Sequence, residues 1–294
     1  CRLTGMDISN ATMYDAASAC AESILMAVRI SKKNKALVSN KLNPEYIDVI
    51  KTYCWASDIK VEFFDEIPED LSDAACVLVQ NPDFYGEIRE YSKTDCLFIV
   101  CVDLSSLSIL EPPKDADIVV GDIQTLGIPM NFGGAHGGFI ACKQQYLRQI
   151  AGRLAGKTVD ADGNSAYCLT IQTREQHIKR EKATSNICSN QALVGLCATL
   201  YLTLLGEKGF RQAGYLSAKN AHNLSKGLAQ KGIKTLNKNF YNEFVIEVEN
   251  SDKFLDKLKS QGILGGLKLN DKNILVCATE MNTQDDIDKV LSSL

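Results

Sequence analysis

Histidine is scarce in this sequence, with three residues in 294. The eleven cysteines are scattered, with no CxxC pair and no Cys/His grouping at metal-ligand spacing, so nothing points to a metal centre. Positive charge is not in excess. The 32 basic residues face 36 acidic ones, a net charge of −4 that argues against a nucleic-acid binder. No apolar run approaches the ~20 residues that cross a bilayer. The opening "CRLTGMDISN" has neither an initiator methionine nor a signal peptide, which suggests a chain that begins inside a longer protein. Internal repeats and low-complexity linkers are also missing. What remains is an ordinary globular composition, 45% hydrophobic and 23% charged. The length suffices for one large domain with a smaller one beside it. Cys76, Cys101 and Cys142 sit inside apolar runs, where cysteine acts as a small hydrophobe, as suits a reduced cytoplasmic protein.

Helical and strand-like patterns alternate through the first half. Residues 13–31 are alanine-rich, without glycine or proline, and read as a buried helix. Short apolar runs follow at 35–39, 61–64, 75–80, 96–103, 117–121 and 138–142, with helices between them such as "PEYIDVIKTYCWA" (44–56). Such strands predict a mainly parallel sheet covered on both faces. A long helical stretch extends from about residue 185 to 231. The tail reads β-α-β-α, with strands at 243–248 and 273–279 and helices over 251–261 and from Thr283 onward. The resulting division is a large α/β domain (1–185), connecting helices (186–232) and a small α+β domain (233–294).

Two segments carry the chemistry. In "LTIQTREQHIKREKATSNICS" (169–189), Arg174, His177, Lys179, Arg180 and Lys182 crowd together, offset by Glu175 and Glu181. This is either a solvated charged loop or a wall that recognises anions through charge-assisted hydrogen bonds. Thr184, Ser185 and Asn186 are cap candidates for the next helix, whose N-terminus also favours anions. The second segment, "GDIQTLGIPMNFGGAHGGF" (121–139), has the shape of a strand end running into a glycine-rich loop. His136 in that loop is a pocket-lining or a solvated side chain, and His222, in "KNAHNLSKG", reads as a surface residue.

The string "LTIQTREQHIKREKATSNICSNQAL" closely resembles the diagnostic segment of the P-protein family of the glycine cleavage system. The match is to the N-terminal half of its single-chain form, or the α subunit (subunit 1) of its two-chain form. "LTGMDISNATMYDAASACAE", "GRLAGKTVDADGNSAYCLTIQTREQHI", "NEFVIEV" and "CATEMNTQDDID" extend the resemblance over essentially the whole chain. It implies a bacterial or archaeal cytoplasmic enzyme with the fold type I (aspartate aminotransferase) architecture of pyridoxal phosphate (PLP) enzymes. The implied activity is glycine decarboxylation, with the aminomethyl group passing to the lipoyl arm of H-protein.

Residue by residue, the resemblance withholds the cofactor from this chain. Catalytic members carry His-Lys-Thr-Phe-x-x-Pro before the glycines, and the lysine forms the Schiff base. Here the aligned residues are Ile123, Gln124, Thr125, Leu126, Gly127, Ile128 and Pro129. An amide cannot condense with an aldehyde. Lys114 and Lys143 are poor substitutes, one in a proline-rich loop and one past the next strand. Tyr14 and Asp15 replace a glycine-rich phosphate turn, and Asp15 would repel phosphate while capping the helix. Asp103 matches the place of a pyridine-nitrogen partner, or it is a strand-end aspartate capping the next turn. PLP is therefore expected on a second, β subunit (subunit 2). Arg174, His177, Lys182, Thr184 and Asn186, with Ser9, Asn10 and Thr12, are expected to shape that subunit's pocket or the interface with it. The rivals are a purely structural assembly subunit and an independent PLP enzyme.

Overall fold

The alanine-rich stretch becomes helical at Ala16 because of a reciprocal cap. The Asp15 carboxylate accepts from the Ser18 amide at 2.7 Å, and the Ser18 hydroxyl accepts from the Asp15 amide at 3.2 Å. Two amides that a first helical turn leaves unpartnered are thereby satisfied. This helix, α1 (Ala16–Ser31), ends at Lys32 in the left-handed conformation, φ 62°.

The computed structural model describes residues 1–294, which divide into two compact units. The first comprises residues 1–80, 91–107 and 111–204, and the second comprises 81–90, 108–110 and 205–294. These boundaries differ from the three-part division read from the sequence.

In the first unit seven strands form one sheet: β1 (Ile8–Ser9), β2 (Lys35–Ser39), β3 (Lys60–Phe64), β4 (Cys76–Gln80), β5 (Leu97–Asp103), β6 (Ile118–Asp122) and β7 (Gly138–Cys142). Their order is β3-β2-β4-β5-β6-β7-β1. The five strands from β3 to β6 run parallel, β7 is antiparallel to β6, and β1 is antiparallel to β7. The expected mainly parallel sheet is thus present. Helix α2 (Pro44–Ala56) joins β2 to β3, with Asn43 as cap and Pro44 in the first turn, where its missing N–H is harmless. Ile24 and Met26 of α1 and Ile50 of α2 pack with Val38, Leu78, Ile99, Val120 and Ile140 from the strands.

Helices expected between the later strands do not form. Residues 81–96 have none, and 104–117 hold only a 3-10 turn at Ser106–Ser108. Pro82, Pro112 and Pro113 remove backbone donors there. Asp83 also takes the Tyr85 and Glu87 amides at 2.9 and 3.0 Å, a local turn that competes with helix.

A hairpin that the sequence reading passed over, β8 (Leu154–Val159) and β9 (Ser165–Thr170), closes around Asp160. The Asp160 carboxylate accepts from the Asp162 and Asn164 amides. After the short helix α3 (Gln176–Lys179), α4 (Ala192–Gln230) begins. It breaks its helical geometry at Gly206, φ 60° and ψ −176°. By length and composition alone α4 meets the measure of a membrane-crossing helix, although the sequence reading found no apolar run of that length, and the break at Gly206 divides it.

The second unit carries β10 (Lys234–Thr235), β11 (Glu243–Glu247), α5 (Ser251–Ser260), β12 (Leu267–Lys268), β13 (Asn273–Cys277) and α6 (Gln284–Ser292). Its sheet is antiparallel throughout, in the order β10-β11-β13-β12. The expected β-α-β-α tail is there, and the two additional strands have two residues each, too few to show a period. Phe240, Phe244, Ile274 and Ile287 centre its core. His222 is at the surface, yet its ring stacks on Phe240 at 4.0 Å and its Nε2 lies 3.1 Å from the Phe240 carbonyl.

Candidate functional site

Parallel β5 and β6 end side by side, with Asp103 paired in register to Asp122. The carboxyl ends of parallel strands are where α/β folds place their ligands. Asp103 accepts from the Ser105 amide at 3.0 Å, the Ser105 hydroxyl at 2.5 Å and the Thr125 hydroxyl at 3.0 Å. Burial pushes its carboxyl above the ordinary range, and the hydrogen bonds from Ser105 and Thr125 oppose that rise. Asp122 accepts from the Gln124 amide at 2.7 Å, from the Ala16 amide opening α1 at 3.4 Å, and faces His136 Nδ1 at 3.2 Å. A carboxylate can only accept here, so a proton is assigned to His136 Nδ1.

Gln124 turns back onto the glycine loop. Its Nε2 donates to the carbonyls of Gly133 and Ala135, each at 3.2 Å, and lies 3.4 Å from His136 Nε2. Gly134 has no room for a side chain, since a Cβ there would lie 2.5 Å from Gln124 Nε2. Asp15 caps α1, and Gly138 passes so close that a Cβ would lie 2.1 Å from the Asp15 carbonyl oxygen. Of the nearby lysines, Lys143 pairs with Asp117 at 3.2 Å and Lys114 with Glu111 at 2.7 Å.

A second group gathers around the turn at residues 150–153. Arg174 is 8% exposed and donates to the carbonyls of Ile150 and Gly152, the latter at 2.6 Å. Asn10 takes the intervening Ala151 carbonyl at 3.0 Å and accepts from the Ile140 amide at 3.0 Å. The Ala11 amide donates to the Arg153 carbonyl at 2.8 Å, and Thr12 accepts from the Gln191 amide at 2.9 Å. Ser9 pairs with Ala141 across the β1–β7 edge. Ser9, Asn10 and Thr12 also border a cleft of about 680 Å³, together with Ile123, Phe139 and Asn190.

The cationic segment therefore divides. Arg174 is turned inward to backbone carbonyls and does not face an open anion site. His177 and Lys182 are exposed, with His177 Nδ1 3.6 Å from Glu175. The Thr184 amide donates to the Arg174 carbonyl at 2.9 Å, and Asn186 is exposed. The sequence reading grouped Asn10 and Arg174 as contributors to a partner's pocket or interface, and the fold places both on one turn of this chain. It missed Asp122, a strand-end aspartate of the same kind as Asp103. It also missed Glu22, a lone acid inside an alanine-rich helix, which is buried and accepts from the Ser185 hydroxyl at 2.8 Å.

Comparison with known proteins is consistent along the whole chain. A family model described as glycine cleavage system P-protein matches residues 1–294. The probable glycine dehydrogenase (decarboxylating) subunit 1 of Dictyoglomus turgidum is 43% identical, covering 100% of this chain and 72% of the relative. The protein of the same description from Azorhizobium caulinodans is 42% identical, covering 97% and 70%. A crystal structure of glycine decarboxylase (P-protein) of the glycine cleavage system, in inhibitor-bound form, superposes with a TM-score of 0.94. It has 35% identity and covers 100% of this chain and 73% of that one. A structure of C-DES with glycine linked to its PLP cofactor superposes with a TM-score of 0.66 over 97% of this chain and 80% of that one. At 14% identity it shows the fold alone, which is that of fold type I PLP enzymes.

Proposed function

Because the chain belongs to the glycine cleavage system P-protein family, we propose that it is the lysine-free subunit of a two-chain glycine decarboxylase. In this reading PLP is held by a second, lysine-bearing subunit, and the aminomethyl product passes to the lipoyl arm of H-protein. The observation that carries the reading is Gln124. It stands at the lysine position, it has no amine, and its amide is already bonded to the loop carbonyls of Gly133 and Ala135. The surroundings suit PLP no better. Asp15 occupies the α1 cap where a phosphate would sit, and Asp122 adds a second carboxylate on the Ala16 amide of the same turn, leaving Asp103 as the one residue that matches a PLP partner. A dianionic phosphate beside these groups would be repelled. The residues of this chain do not fit a covalently held PLP, and that disfavours an independent PLP enzyme.

The chain's own contribution is then to complete the second subunit. Arg174 and Asn10 hold the turn at 150–153, which leads into β8, while the exposed His177, Lys182 and Asn186 are the polar groups available to the partner. The inward bonds of Arg174 favour an architectural role for that residue. Reconstitution tests the reading. Neither chain alone should catalyse glycine–CO2 exchange, and the mixture should. Full exchange by the second subunit without this chain would contradict it.

A further inference from the structure

We propose that Glu175 is a positioning residue for His177. It holds the ring by Nδ1, so that Nε2 is presented as the acceptor for an N–H donor in the site shared with the second subunit. The shared site rests on the function proposed above.

Glu175 stands at the cap position of α3, yet its carboxylate caps nothing. The side chain turns inward and is 10% exposed, with Oε2 4.0 Å from Arg153 Nε and 3.6 Å from His177 Nδ1. Its other oxygen, Oε1, is buried without a hydrogen-bond partner, and so is Arg153 Nε. An unpartnered buried carboxylate oxygen is costly, and native proteins keep few of them. Capping α3 or facing water would each have cost less. Part of the charge serves Arg174: burial lowers that guanidinium, and the Glu175 carboxylate opposes the effect. Arg174 nevertheless spends its two Nη atoms on the Ile150 and Gly152 carbonyls and makes no ion pair with Glu175. A counter-charge alone does not account for where the carboxylate stands.

The other half of the argument is the ring. Of the three histidines, His136 has its Nε2 3.4 Å from the Gln124 amide, and His222 has its Nε2 3.1 Å from the Phe240 carbonyl. His177 is half exposed, and nothing in this chain takes its Nε2. A carboxylate can only accept, so a proton is assigned to Nδ1, and Nε2 keeps its lone pair for a donor from outside. The 3.6 Å between Nδ1 and Oε2 is just beyond hydrogen-bond length, a gap of the kind that closes when a site assembles. Two donors fit this acceptor, the ammonium of glycine and an N–H of the second subunit.

The tautomer is read on this chain alone, by nitrogen NMR of histidine-labelled protein at alkaline pH. His177, identified by its loss in His177→Gln, should carry its proton on Nδ1. Glu175→Gln, whose amide can turn its own N–H toward Nδ1, should move the proton to Nε2. Circular dichroism should match the parent. After reconstitution with the second subunit, each variant should weaken either subunit affinity or the KM for glycine in glycine–CO2 exchange by ~10-fold or more. Loss of affinity identifies the donor as the subunit, and a raised KM identifies it as glycine. The double variant should be no worse than His177→Gln, because Glu175 acts through the ring. A proton on Nε2 in the parent overturns the positioning role, whatever the variants do. Additive losses overturn it as well. Unchanged affinity and KM in His177→Gln overturn the acceptor role. A parent chain that binds no second subunit overturns the functional reading, while the tautomer still decides what Glu175 does.

Discussion

The guanidinium of Arg174 donates to the carbonyl of Gly152 at 2.6 Å, across 22 residues of sequence, from a side chain that is buried. Gly152 itself holds φ 79°, and a Cβ there would lie 2.8 Å from Asn10 Nδ2. The three residues thus define the turn from which the β8–β9 hairpin departs.

Arg174→Ala removes the donor to two buried carbonyls. Leaving them unsatisfied should cost about 2–4 kcal/mol in unfolding free energy, measured by urea titration with circular dichroism. Arg174→Lys, with a single point donor in place of a fork, should recover only part of the loss. An alanine variant as stable as the parent would mean that the guanidinium faces outward after all.

This residue also marks the limit of what the sequence tells. A run of cations looks the same whether it meets a ligand or its own backbone, because charge is visible in sequence and a partner carbonyl distant in the chain is not. The strands were legible because buried parallel strands are continuous apolar runs, and α2 was legible because Asn43 and Pro44 announce its start. Gln124 stood out through the resemblance alone, since a missing amine at an aligned position has a definite chemical meaning. The helix-free crossovers at 81–96 and 104–117 were not legible, since local bonds such as those to Asp83 compete with helix without altering the apolar pattern.

Glu22 gives a pH dependence of definite sign. Burial raises its carboxyl above the ordinary value of 4.5, against the lowering effects of the Ser185 hydroxyl and the Arg29 charge. The folded state therefore holds the proton more tightly than the unfolded chain. The contribution of this group to stability falls as pH rises from 4.5 through the raised value, and levels off above it. Subtracting the stability–pH curve of Glu22→Gln from that of the parent should leave this downward slope. A flat or rising difference would show Glu22 ionised at its ordinary pKa or below.

Thiol titration checks the burial pattern. Cys1, Cys168, Cys188 and Cys277 are exposed, Cys197 is intermediate, and the other six are buried with no disulfides. Burial pushes the Cys54 thiol up to about 11 and Cys142 up to about 12, which further suppresses the thiolate. An aromatic disulfide reagent at neutral pH should label those four at once and Cys197 more slowly. Labelling of Cys76 or Cys142 in the native protein at the same rate would contradict the fold.

The account turns on which chain holds the cofactor. The measurement is borohydride reduction of the reconstituted two-chain complex in the presence of PLP, followed by peptide mass spectrometry to locate the pyridoxyl-lysine. The label should fall on a single lysine of the second subunit and on no peptide of this chain. A stoichiometric pyridoxyl-lysine in this chain, at Lys114, Lys143 or elsewhere, would contradict the assignment of Gln124 as the residue that withholds the cofactor.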